Sequence, residues 1–247
     1  MKINNTNTTF GTGFWHIPQN QKRDLSHYKN LMPKTLGMLE EQNLVFFHNN
    51  NILLNSIANE EIIYEEREIV DLPTYSISLN FLEACKRQNN VLLHPREKGA
   101  IHYSREYKIS GEDSFRKVFT VWTSKLFLLK NIALQNPFNT EYFAWSDISI
   151  SRFTNIRTHW NFFEYEFSFD NSIEIFFYPS QMYYKGEILS CNASFMLFNR
   201  NSIINFVDRY ERKMNHLIND SYAHDEETII HEIYKDSPDL FGIIGRQ

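Results

Sequence analysis

The sequence has few of the residues that build disulfide frameworks or zinc sites. It contains two cysteines, Cys85 and Cys191, in 247 residues. Two cysteines so far apart form neither a disulfide framework nor a zinc-ligand cluster, and this usage is typical of a reducing compartment. The histidines never occur with His-x-x-x-His spacing. Any bound metal is therefore expected to be a hard ion with oxygen ligands.

Long runs of basic or apolar residues are also missing. The formal net charge is −5, and no stretch of lysine and arginine offers the basic stripe of a duplex nucleic-acid binder. An anionic ligand would need a metal ion or a few well-placed cations. The N-terminal residues Met1–Phe10 lack a charged start and an apolar stretch, and no apolar window is long enough for a membrane span. We therefore expect a cytoplasmic protein without a transmembrane segment, at most peripheral at the inner membrane.

Aromatic residues are abundant instead, with 21 Phe and 13 Tyr. Aromatic rings cover the apolar faces of sugars well, because the sugar hydroxyls can stay hydrogen-bonded at the rim of the ring. This composition is compatible with glycan binding but carries little weight alone.

The order of apolar segments predicts an α/β fold. A strand at Thr8–Trp15, a helix with apolar residues from Leu25 to Leu39 and a buried strand at Asn43–His48 make a βαβ unit. A third strand is expected at Glu65–Val70. The chain length fits one domain.

Further along the chain, helical spacing from Phe119 to Ala133 precedes a predicted strand at Glu141–Ser146. The alternating aromatics of Phe162–Phe169 predict an antiparallel strand with one solvated face. An apolar strand at Ala193–Phe198 is followed by two helices. These begin near Asn201 and Asp225.

The strongest local signal is Asp147, which directly follows the predicted strand at Glu141–Ser146. Ligands of open α/β sheets bind beyond the carboxyl ends of strands, and a carboxylate there can hold Mg²⁺ or Mn²⁺ to neutralise a diphosphate. Asp also caps turns very often, and the spacing alone favours that structural role. Lys125 and Arg152 are candidates for the phosphates, although solvated surface positions are as typical of these residues.

A second signal is the pair Asp225 and Glu226 at the start of the last helix. Either carboxylate could serve as a general base toward an acceptor hydroxyl. Acidic residues at a helix start are favoured by the helix dipole whatever their function. A third signal is the small, polar segment Ser190–Phe195, which suits either close approach of a ligand or an ordinary turn. Cys191 is not expected to be a nucleophile, because no Cys–His–acid pattern surrounds it.

In order and spacing, these segments resemble the bacterial HtrL/YibB family over most of the chain, and the central block is the most specific part. The resemblance is carried by Thr12–Ile17, Trp122–Lys125, Asn136–Thr140, Tyr142–Phe143, Trp145–Ile150, Cys191–Ser194 and Asp225–Glu226.

The resemblance implies a GT-A-like, Rossmann-type α/β fold: a single domain with a mixed sheet flanked by helices. Residues 1–150 would bind the nucleotide sugar and residues 151–247 the acceptor. The implied activity is transfer of a sugar from a nucleoside-diphosphate sugar to a glycan or glycolipid acceptor, in lipopolysaccharide or capsule assembly. The implied site residues are Thr12, Gly13, Lys125, Asp147, Ser149 and Arg152 for the donor, Cys191, Asn192 and Ser194 for the acceptor, Asp225 or Glu226 as base, and Asp147 as ligand of Mn²⁺ or Mg²⁺.

Two departures from the pattern weaken the metal prediction. Ser149 stands where a second acidic residue or a glycine is usual, and the chain ends soon after Phe241, where such enzymes often supply a histidine ligand. The metal could therefore bind weakly or be dispensable. Two other readings stay open: a non-catalytic nucleotide-sugar or glycan-binding protein, and a hydrolase acting through Asp147 and Glu226.

Overall fold

A seven-stranded sheet forms the centre of the protein in a computed structural model that describes residues 2–3, 7–20, 24–49, 62–87, 96–154, 161–169, 172–220 and 222–245. Its strand order is β3-β2-β1-β4-β8-β5-β9, and β6 and β7 form a separate hairpin. The strands are β1 (Thr8–Phe14), β2 (Asn43–His48), β3 (Ile62–Glu66), β4 (Tyr142–Ser146), β5 (Ile175–Pro179), β6 (Tyr183–Tyr184), β7 (Glu187–Ile188), β8 (Cys191–Asn199) and β9 (Phe241–Ile243).

The direction of the strands determines where a ligand can bind. Strands β1 to β4 are parallel to one another, β8 is antiparallel to both of its neighbours, and β9 runs parallel to β5. The carboxyl ends of six strands therefore lie at the same edge of the sheet as the amino end of β8. Strand β8 is buried from end to end apart from two partly exposed positions, as expected of a central strand.

Helices pack on both faces of this sheet. One face carries α1 and the aromatic segment at Phe162–Phe167, and the other carries α2, α5, α7 and α8. The helices are α1 (Leu25–Met38), α2 (Tyr75–Arg87), α3 (Lys98–Ile101), α4 (Lys108–Ser110), α5 (Glu112–Gln135), α6 (Ser151–Thr154), α7 (Arg200–Leu217) and α8 (Glu226–Asp236), with a π-helical turn at His102–Tyr107 between α3 and α4.

The long helix α5 is delimited by its sequence. It follows Gly111, whose φ of 84° suits glycine, and its first turn holds two acidic residues that complement the helix dipole. It ends at Asn136 in the left-handed conformation with φ of 45°, directly before Pro137. Because more than half of its residues are buried, α5 fixes Lys125 beneath the sheet edge.

The predicted α/β class, with a mixed sheet flanked by helices, is confirmed, and so is the βαβ opening. The third strand begins and ends earlier than predicted, at Ile62–Glu66, because the chain turns into a 3₁₀ helix at Ile69–Asp71. No helix within the described ranges is long and apolar enough to span a membrane.

The prediction of a strand at Phe162–Phe169 is wrong. Phe162–Glu164 forms a 3₁₀ turn, which the Asn161 side chain caps by accepting a hydrogen bond from the Phe163 backbone N–H. The Phe162 ring is buried and stacks on Phe195 with centroids 4.3 Å apart. The rings therefore pack onto the face of the sheet, and Glu166 pairs with Lys2 only as an isolated antiparallel bridge.

Candidate active site

A cleft of about 790 Å³, open mouth included, lies at the carboxyl edge of the sheet between β1, β4 and α5. The walls combine aromatic rings with a few ionisable groups. They include Gly13, Phe14, Trp15, His16, Tyr28, Glu106, Trp122, Lys125, Asp147, Ile148 and Ser149.

The end of β1 forms the aromatic wall of this cleft. A Cβ atom at Gly13 would lie 2.5 Å from the Trp15 ring, so glycine is what allows the indole to fold back over the strand. Trp15 Nε1 donates a hydrogen bond of 2.9 Å to the Arg67 carbonyl, and the indole stacks on Phe47 with ring centroids 6.5 Å apart. Thr12 is fully buried within β1 and is not part of the cleft wall.

Asp147 lies directly after β4, at the cleft. Its backbone N–H donates to the Ser194 carbonyl at 2.8 Å, which joins the ends of β4 and β8. Its Oδ1 lies 2.8 Å from Lys125 Nζ and accepts a hydrogen bond of 3.1 Å from Trp145 Nε1. Burial disfavours the Asp147 carboxylate, but Lys125 and Arg152 outweigh that effect, and the Asp147 pKa is lowered.

Lys125 joins Asp147 to the start of α8. Its ammonium lies 2.7 Å from Glu226 Oε1 and also donates to the Ala193 carbonyl at 3.5 Å. The residue is 5% exposed. Burial disfavours its charge, but the two carboxylates outweigh this, so the Lys125 pKa is raised and the side chain stays an ammonium.

Arg152 supplies a second cation near Asp147. Its guanidinium donates to the Ser149 carbonyl at 3.0 Å, to the Ser149 hydroxyl, and to the Ser194 Oγ at 3.1 Å. The predicted donor residues Lys125, Asp147, Ser149 and Arg152 are thus brought together.

The predicted acceptor residues Cys191, Asn192 and Ser194 do not line the cleft. Cys191 is fully buried, and burial raises the pKa of its thiol well above the ordinary value. The Asn192 side chain accepts a hydrogen bond of 3.0 Å from the Ser194 backbone N–H within β8, so this segment is a strand and not the predicted turn. Only Ser194 contacts the predicted donor residues.

The two candidate bases at the start of α8, Asp225 and Glu226, have different partners and different pKa shifts. Asp225 is the N-cap: its Oδ1 accepts from the Thr228 backbone N–H at 2.9 Å, and its Oδ2 lies 2.8 Å from Lys98 Nζ and 2.7 Å from His102 Nε2. Burial opposes ionisation of Asp225, but Lys98 and His102 prevail and hold its pKa well below the usual range. Both oxygens are therefore engaged in holding the fold.

Glu226 has the opposite electrostatic environment. Burial raises its pKa from 4.5 to about 7, Asp225 and Glu227 add to the rise, and Lys125 opposes it. The neighbouring Glu227 accepts a hydrogen bond of 3.0 Å from the Ala193 backbone N–H and pairs with Lys98. Two adjacent carboxyl groups with pKa values moved in opposite directions suit one structural and one proton-transferring role.

The site residues predicted from the sequence did not include Lys98, His102 and Glu106. They occur at intervals of four residues, and their side chains are largely buried on one side of the segment that contains the π-helical turn. Glu106 lines the cleft, and the His102 ring lies 5.0 Å from the Trp122 ring, which also lines it. The spacing was visible in the sequence, and π-helical turns occur often at functional sites.

The described residues do not fit the ligand set of a divalent metal ion. The Oδ1 atom of Asp147 already contacts an ammonium and an indole N–H. Across the described ranges, no three His, Cys, Asp or Glu side chains come together in a group that could hold a metal.

No protein-family model and no curated protein matches the sequence. Among solved structures, xyloside xylosyltransferase 1 of mouse is similar with a TM-score of 0.46 and 10% identity, over 96% of this chain and 84% of that one. A glycosyltransferase involved in glycosylation of the major capsid of PBCV-1 is similar with a TM-score of 0.41 and 12% identity, over 96% of this chain and 81% of that one. Similarities of this degree carry no argument about activity, and membership of the HtrL/YibB family stays a prediction.

Proposed function

We propose that this protein is a glycosyltransferase that moves a sugar from a nucleoside-diphosphate sugar to a glycan or glycolipid acceptor. The observation that carries the proposal is the chain of contacts from Asp147 through Lys125 to Glu226 at the carboxyl edge of the sheet. These contacts combine Lys125, a cation suited to phosphate, with Glu226, a carboxyl group whose pKa is near neutrality. Asp147 and Lys125 line the cleft, and Glu226 is joined to it through its contact with Lys125.

The walls of the cleft match the parts of such a donor. The flat faces of Trp15, Trp122 and Tyr28 suit stacking with a base or a sugar ring. Lys125 in the wall, and Arg152 bonded to the lining residue Ser149, offer positive charge for a diphosphate, and arginine in particular binds phosphate oxygens in pairs. The location agrees with the general position of ligands in open α/β sheets.

The reaction we propose is a displacement at the sugar C1. The acceptor hydroxyl oxygen bonds to C1 while the bond from C1 to the diphosphate oxygen breaks, and the nucleoside diphosphate leaves with that electron pair. Glu226 takes the acceptor proton, because a base works best with a pKa near the operating pH. Lys125 and Arg152 stabilise the charge on the departing diphosphate.

The biological setting of this proposal comes from the HtrL/YibB resemblance. It implies assembly of lipopolysaccharide or capsule by a cytoplasmic protein that is at most peripheral at the inner membrane, and both parts of that setting stay predictions.

A thermal-shift screen of sugar nucleotides, followed by product assays with the donors that bind, tests the proposal. We expect at least one sugar nucleotide to raise the melting temperature of the wild-type protein. Lys125→Met should weaken or lose this shift, and the control Lys130→Met, which removes a lysine of the same helix paired with the exposed Asp208, should keep it.

Three results would contradict the proposal. If no sugar nucleotide binds, the donor site is wrongly assigned. Binding without turnover across a panel of acceptors would indicate a nucleotide-sugar-binding protein. Release of free sugar as the main product when acceptors are present would indicate a hydrolase.

A further inference from the structure

Lys125 pairs directly with the Asp147 carboxylate of the proposed donor site, and Ser149 and Ser194 hold the Arg152 guanidinium nearby. We propose that Lys125 and Arg152 take the place of a divalent cation, so that the donor diphosphate binds and leaves without a metal ion. This inference rests on the proposed function and concerns which groups of the same site neutralise the charge of the diphosphate.

The first support is the position of the Lys125 ammonium. It lies 2.8 Å from Asp147 Oδ1, at the distance of a direct ion pair, and the same residue lines the cleft. A divalent ion on this carboxylate would be placed beside a fixed positive charge, and like charges repel strongly where water is largely excluded. The site is therefore occupied by a cation that the chain itself supplies.

The second support is what Ser149 does. Its carbonyl and hydroxyl both accept hydrogen bonds from the Arg152 guanidinium, whose other arm reaches Ser194. Ser149 thus holds an arginine and offers no carboxylate to a metal ion. Arg152 is thereby fixed close enough to Asp147 to help lower the pKa of that carboxyl.

The ion pairs around the acidic start of α8 also support cations in place of a metal ion. Lys98 pairs with Asp225 and Glu227, whereas Lys125 pairs with Asp147 and Glu226; Lys125 and Arg152 are the cations that lower the Asp147 pKa. An arriving diphosphate brings negative charge to this pair, and the ammonium and guanidinium can turn toward it as the point-charge and bidentate partners of its oxygens.

Calorimetric titration of UDP, GDP, CDP and ADP into the wild-type protein tests this inference, first with EDTA and then with Mn²⁺ or Mg²⁺. We expect at least one nucleoside diphosphate to bind in EDTA, with an affinity that changes by less than about tenfold when metal is added. Binding that appears only with metal overturns the inference and leaves the proposed donor site standing. Failure of all four nucleotides under both conditions overturns the proposed function and this inference with it.

Charge-removing variants test which side chains bind the diphosphate. Lys125→Met is expected to weaken nucleotide binding in EDTA by about 10- to 100-fold. The matched control Lys130→Met removes a lysine of the same helix that pairs with the exposed Asp208, and it should bind like the wild type. Circular dichroism and thermal unfolding establish that each variant is folded.

Because Lys125→Met leaves buried carboxylates without their cation, two further variants keep the inference testable. Lys125→Arg retains the charge and should retain most of the EDTA-resistant binding. Arg152→Gln removes the second cation from a partly exposed position and should weaken binding in EDTA. Wild-type-like affinity in both Lys125→Met and Arg152→Gln would overturn the inference.

Discussion

Replacing Glu226 with glutamine should change the way the stability of the protein depends on pH. In the folded state burial raises the Glu226 pKa from 4.5 to about 7, with Asp225 and Glu227 adding to the rise and Lys125 opposing it. The folded protein therefore holds the Glu226 proton more tightly than the unfolded chain does. Glutamine resembles the protonated side chain in shape and carries no titratable proton.

The sign and size of the effect follow from linkage. Between about pH 4.5 and about pH 7 the folded state binds one more proton at this group, so its contribution to stability falls as the pH rises. Each pKa unit corresponds to about 1.4 kcal/mol, which gives a loss of about 3 kcal/mol across this range for the wild type. The glutamine variant does not incur this loss and should exceed the wild type by up to that amount above about pH 7.

Urea unfolding of both proteins over this pH range measures the effect, with the free energy of unfolding extrapolated to water at each pH. Titration of other groups, such as His48 and His231, whose pKa values are lowered by burial, cancels in the difference between the two proteins. Asp208→Asn, at the exposed pair with Lys130, should show no such trend. A difference that does not vary with pH, or a glutamine variant less stable than the wild type at high pH, would refute the reasoning.

Three further changes should have distinct outcomes. Gly13→Ala forces Trp15 to move, so it should lower the free energy of unfolding in urea by about 1–3 kcal/mol and weaken nucleotide binding. The control Gly37→Ala, in α1 with no atom within 4 Å of its added Cβ, should not destabilise the protein. Equal effects of the two changes would show that Trp15 adapts freely. Lys98→Met removes the cation shared by the buried carboxylates of Asp225 and Glu227 and should cost about 3–5 kcal/mol at pH 7, less in acid; a loss that does not depend on pH would contradict the ion-pair origin. Phe162→Ala removes a fully buried ring and should lower the free energy of unfolding by about 3–5 kcal/mol, and a near-neutral effect would contradict its place in the core.

Much of the sheet could be predicted because its signals are local. The βαβ opening follows from apolar runs and helical spacing within about fifty residues, and the strand at Tyr142–Ser146 is a continuous apolar run. Because the carboxyl ends of parallel strands meet at one edge, that strand also placed Asp147 near the end of β1. The neighbouring Lys125 could be proposed because it lies on a helix that begins and ends with clear signals.

The rest of the site depends on contacts between distant segments, which no local pattern encodes. Lys98 and Asp225 are 127 positions apart, and their pairing follows only from the packing of α3 against the start of α8. The period-2 aromatics after Asn161 predicted a strand, but burial of Phe162 against Phe195 decided the structure. Tertiary packing also gives Asp225 and Glu226 different pKa values, because the two side chains have different partners. The sequence could therefore not distinguish their roles.

The charges around the start of α8 also explain why a single carboxyl group is left to exchange a proton. Two lysines, Lys98 and Lys125, face the carboxylates of Asp147, Asp225, Glu226 and Glu227 in largely buried surroundings. Asp225 and Asp147 have further hydrogen-bond donors and keep their charge, whereas Glu226 depends on Lys125, which it shares with Asp147. A diphosphate that draws the Lys125 ammonium toward itself leaves Glu226 with less positive charge nearby and makes it more basic. In this arrangement the lysine that stabilises the leaving group also tunes the group that accepts the proton, so the two halves of the proposed reaction depend on one side chain.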